Sequence, residues 1–101
     1  MAAADADDRV LCRSPQAAGT TRIPSWKFEC MRRALHEVLS AADEVPYKDL
    51  KALVETRISD EERAALGSLG WHLATVKLEL EVRGELERVP GARPQRVRWR
   101  S

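Results

Sequence analysis

An excess of charge of one sign is missing from this chain. Its 17 Lys and Arg residues face 16 Asp and Glu, for a formal net charge of +1. A domain that binds polyanions over its whole surface is strongly basic, so that class is excluded. Cysteine is scarce as well. Cys12 and Cys30 supply no disulfide framework, and free thiols in a reducing cytosol are expected. No apolar run approaches the ~20 residues of a membrane span. Residues 1–9 are rich in Ala and Asp and lack the basic start and apolar middle of a secretory signal. A cytoplasmic chain without a membrane partner is the expectation.

The signatures of catalysis are absent too. There is no phosphate-cradling glycine motif and no nucleophile elbow. Cys30 and His36 lie six positions apart on one helix, on opposed faces and out of hydrogen-bond reach. His36, His72, Cys12 and Cys30 match no metal-clip spacing, and four ligands would have to converge from four elements. No enzyme activity, cofactor, metal or small-molecule substrate is expected.

What is present is a globular mixture, 44% hydrophobic and 33% charged, of a length that fits one domain. Residues 1–21 read as a tail, disordered or strapped across a domain spanning 22–101. Asp5, Asp7 and Asp8 make its start acidic, Pro15, Gly19, Thr20 and Thr21 punctuate it, and Val10-Leu11 is its only apolar anchor.

Ser25 is a candidate helix cap. Phe28, Met31, Leu35, Val38, Leu39 and Ala42 come next at three- and four-residue spacing, which predicts an amphipathic helix. Val45-Pro46 is extended, because the residue before proline disfavours helix. A shorter helix over 47–56 buries Leu50, Leu53 and Val54. Ser59 and Glu62 form a capping-box pattern that opens a helix ending at Gly67.

The next helix runs from about Ser68 to Arg83 and stops at Gly84, a residue suited to a left-handed cap. Leu69, Leu73, Val76 and Leu80 form one stripe. Trp71, Thr75, Leu78 and Val82 fall nearly opposite, so this helix must be covered on two sides. Two strands close the chain. Leu86–Val89 leads into a turn-rich connector, and Gln95–Arg100 alternates. Val97 and Trp99 point one way, Arg96, Arg98 and Arg100 the other. The fold expected is α+β: a winged helix-turn-helix-like domain, three to four helices closed by a two-stranded hairpin.

Two stretches sharpen this expectation. They are 67–84, which includes Gly67-Ser68-Leu69-Gly70-Trp71 and Glu79-Leu80-Glu81-Val82-Arg83-Gly84, and Pro94-Gln95-Arg96-Val97-Arg98. With Gly19-Thr20-Thr21-Arg22-Ile23 they resemble a family of small uncharacterised bacterial proteins. The junction at 80–88 resembles the place where a winged-helix recognition helix meets its wing, with Glu85 as a departure. The resemblance implies a fold and a bacterial cytosolic home; it carries no activity, and DNA binding is implied only by fold analogy.

Charge is uneven along the chain. Residues 83–101 hold six Arg against Glu85 and Glu87, and residues 25–82 hold eight basic against eleven acidic residues. Arg93, Arg96, Arg98 and Arg100 are therefore candidate phosphate contacts of a basic wing on double-stranded DNA. The plainer reading is a solvated edge strand guarded by charge. On the preceding helix, His72, Thr75 and Lys77 are candidates to reach DNA, opposed by Glu79 and Glu81. The second stripe supports a different function. Trp71, Leu78 and Val82 are candidate contacts of a homodimer or protein-interaction module that binds no nucleic acid.

Overall fold

The computed structural model describes residues 8–15 and 17–100 of the chain. Residues 1–7 of the expected tail lie outside the described residues. The remainder of that segment is a β-hairpin. Strand β1 (Arg9–Ser14) pairs antiparallel with β2 (Ala17–Pro24), in a register that sets Val10 opposite Ile23 and Cys12 opposite Thr21. Of the expected Val10-Leu11 anchor only Val10 packs against the domain. Leu11 is exposed, and Cys12 and Ile23 enter the core.

Helix α1 (Ser25–Ser40) buries Phe28, Met31, Leu35, Val38 and Leu39 of the stripe its spacing predicts, together with Cys30 and Ala34; Ala42, expected in the same stripe, lies past the helix end and is exposed. Ser25 is not its cap. Pro24 holds that position, and the Ser25 N–H donates to the Asp8 carbonyl at 3.1 Å, which ties the helix to the hairpin. Ala41–Asp43 bend away, and β3 (Val45–Pro46) leads into α2 (Tyr47–Glu55), whose buried residues are Leu50 and Val54. Leu53 is exposed.

Helix α3 (Asp60–Leu66) opens on the expected capping box. The Glu62 N–H donates to Ser59 Oγ at 3.0 Å, and the Ser59 N–H donates to Glu62 Oε1 at 2.9 Å. Helix α4 (Leu69–Arg83) starts under Ser68, whose hydroxyl accepts from the Trp71 N–H at 3.2 Å. It ends where Gly84 takes φ 78°, a left-handed conformation that a side chain would strain.

Strands β4 (Leu86–Arg88) and β5 (Arg96–Trp99) complete the fold. They do not form a two-stranded hairpin alone. Val45 pairs with Val97, so β3 joins them in a three-stranded antiparallel sheet of order β3-β5-β4. The protein is thus a mixed α+β fold of four helices and two small sheets among the described residues, with strands both before and after the helices. Central to it is α4, packed on α1 with its Leu69, Leu73, Val76 and Leu80 stripe and on β1 with the opposite side.

Candidate interaction surface

The side of α4 that faces β1 carries Trp71, Thr75, Leu78 and Val82, and the hairpin covers it only in part. A groove of ≈ 270 Å³ remains between them, lined by Cys12, Gly19, Thr21, Trp71, Thr75 and Leu78 among others. Trp71 stays 48% exposed at its rim. An apolar groove with a large indole left in water marks a contact surface.

A buried carboxylate ties the hairpin to α4 in addition to the core packing of Cys12 and Ile23. Glu79 is 1% exposed. It accepts from the Arg13 backbone N–H at 2.9 Å and from Arg13 Nε and Nη2 at 3.0 and 2.7 Å. Arg83, one turn on, donates from Nε at 2.8 Å. Burial pushes the Glu79 pKa up, and these hydrogen bonds outweigh that push, so it is lowered from 4.5 to about 2. Neither Arg13 nor the hairpin role of Glu79 was legible in the sequence, since the two residues stand 66 positions apart.

The residues expected to reach DNA are dispersed. Lys77 is buried, ion-paired with Glu81, and its Nζ lies 4.8 Å from the Tyr47 ring centre. His72 is buried too. Its Nδ1 sits 2.7 Å from the Ser68 carbonyl, so Nδ1 carries the proton, and its ring meets Trp71 edge-on at 4.8 Å. Thr75 lies inside the groove. Lys77 and His72 are turned from solvent and Thr75 lines the groove, because α4 packs on α1 along one side and is partly covered by the hairpin on the other.

The arginines of β5 alternate with Val97 and Trp99, and their charge is largely matched. Arg96 Nε donates to Glu44 at 2.6 Å, and Arg98 Nε to Glu87 at 2.5 Å. Arg100 lies 3.7 Å from Glu87. Glu87 stands directly across the ladder from Arg98, and Glu44 immediately precedes the strand that pairs with β5. Arg93 has no ion-pair partner among the described residues. Cross-strand register, which the sequence did not reveal, is what neutralises this face.

Both thiols are free and buried, and burial pushes each pKa up. Neither is expected to react with a maleimide in the folded protein, and both should react in denaturant. Rapid labelling of Cys12 without unfolding would show that the hairpin opens. No group of three or more potential metal ligands converges among the described residues, and no helix is long and apolar enough to cross a membrane.

No curated protein and no solved structure matches the chain. Residues 9–97, by contrast, match a family of unknown function (DUF6958), and the chain belongs to that family.

Proposed function

We propose that the protein is a winged-helix-like interaction module that associates with a second copy of itself. The observation that carries this reading is the partly covered apolar groove between α4 and the hairpin, with Trp71 exposed at its rim and the neighbouring charges of Arg13, Glu79 and Arg83 already paired. A closed two-fold contact is the commonest way for such a face to be buried. The winged-helix likeness is supported by the sequence of elements from α1 to β5 and by the pairing of the short β3 with the last strand.

Light scattering over a concentration series tests the reading. A dimer is expected, and the Trp71→Glu variant should weaken it by about 2 kcal/mol or more, roughly 30-fold in Kd, while keeping the wild-type circular dichroism. A wild-type chain that remains monomeric at the highest concentration would remove it.

A nucleic-acid reading keeps one supporting observation, Arg93 on the connector between β4 and β5, which has no ion-pair partner among the described residues. Titration with duplex DNA over a salt series separates the two. Affinity that falls steeply with salt, and falls again in R96A/R98A, would favour DNA. Flat and negligible affinity is the result expected of the interaction module.

A further inference from the structure

We infer that the free edge of β2 is the seam of self-association, pairing antiparallel with the same strand of a second copy through the backbones of Thr20 and Arg22. Such a seam presupposes the self-association proposed under the function.

Two hydrogen bonds fix which way each backbone group of the hairpin points. The Ser25 N–H donates to the Asp8 carbonyl, in the same register that sets Val10 opposite Ile23 and Cys12 opposite Thr21. The Arg13 N–H, by contrast, leaves the ladder and donates to Glu79. In an antiparallel pair, residues alternate between bonding inward and pointing outward. Cys12 and Thr21 therefore bond inward. Arg13 points outward on β1, and its cross-strand partner Thr20 points outward on β2, as does Arg22 two residues on.

The two edges differ at one position: on β1 the outward N–H of Arg13 is taken by the Glu79 carboxylate, while the outward groups of Leu11 are, among the described residues, as free as those of β2. Among the described residues, nothing bonds the outward N–H or carbonyl of Thr20 or Arg22. Both residues are exposed. An edge of this kind is a template for another strand.

Symmetry selects the occupant. A two-fold axis through Thr21 sets Thr20 opposite Arg22 of the partner subunit and Arg22 opposite Thr20 of the partner subunit. Each such pair has all its donors and acceptors pointing into the seam. Moving the axis to Arg22 would set two like charges face to face and place Thr20 against a proline, which has no N–H to give. The seam also runs along the wall of the groove, since Gly19, Thr20 and Thr21 line it together with Trp71. One contact thus satisfies the strand edge and shelters the exposed indole.

Amide hydrogen exchange of the full chain, followed by NMR at low and high concentration, tests the seam. The Thr20 and Arg22 amides should slow as concentration rises, and Thr21 and Ile23, already bonded to β1, should not change. Arg22→Pro removes an N–H that the hairpin does not use, so the fold should persist while Kd rises about tenfold or more. A dimer whose Thr20 and Arg22 amides exchange alike at both concentrations overturns the seam and leaves the interaction reading standing. A folded Arg22→Pro variant that dimerises like the wild type does the same. A wild type that never dimerises overturns both. Should the variant fail to fold, the exchange measurement alone decides.

Discussion

Glu79→Gln is expected to lose about 3 kcal/mol of stability at pH 7, measured by urea unfolding. The Glu79 carboxylate is sealed from water and receives four hydrogen bonds, one from backbone and three from guanidinium groups. Its pKa stands at about 2 in the folded protein against an ordinary 4.5. Because the folded pKa is depressed, the stabilisation is complete above 4.5 and is lost as pH falls through 2. That displacement corresponds to about 3 kcal/mol. Glutamine keeps one acceptor and no charge, and Arg13, half exposed, regains water when released, so nothing larger is expected. For a domain of this size the melting temperature should fall by roughly 10–20 °C. The pH dependence is the sharper readout. Between pH 5 and 2 the wild type should lose more stability than the variant, since the variant has no group to protonate at this position. Glu62, lowered mainly by the Ser59 backbone N–H, titrates in both proteins and cancels. Parallel pH profiles would show that Glu79 does not hold the hairpin.

What the sequence made legible was local. The α1 stripe up to Leu39, the Ser59–Glu62 box and the Gly84 stop each depend on residues within a turn or two, and each stands where the spacing places it, while Ala42 falls past the helix end. The alternation of Val97 and Trp99 against Arg96 and Arg98 is local in the same sense. The hairpin was not legible, because Gly19, Thr20 and Thr21 read as punctuation. Threonine is also a good strand residue, and only pairing with β1 decides between the two roles. Nor were the partners of the charges legible. Glu44 meets Arg96 across 52 positions, and Glu79 meets Arg13 across 66. The candidate surface was half visible: Trp71, Leu78 and Val82 were placed on one side of α4, and what covers that side was not.

Lys77 is a charged residue turned into the interior of its own helix packing. Its side chain is 3% exposed and that of Glu81 is 8% exposed, so the pair lies away from water. Glu81→Ala should cost about 3–5 kcal/mol, because it strands the ammonium with only the Tyr47 ring for compensation. Lys77→Met should cost distinctly less. It fills similar volume, and the Glu81 left behind keeps Arg88, whose Nε stands 3.3 Å away with its own side chain partly in water. Joint replacement by Met and Leu should recover most of the loss, since a buried pair exchanged for apolar groups leaves no charge unpaired. Thermal unfolding of the three variants measures this order. A lysine that faced solvent, as a groove-reading helix requires, would give changes within about 0.5 kcal/mol for both single variants. The asymmetry between the two is thus a test of where this helix sits. Equal small losses would return α4 to the surface and Lys77 to the set of residues free to meet a phosphate.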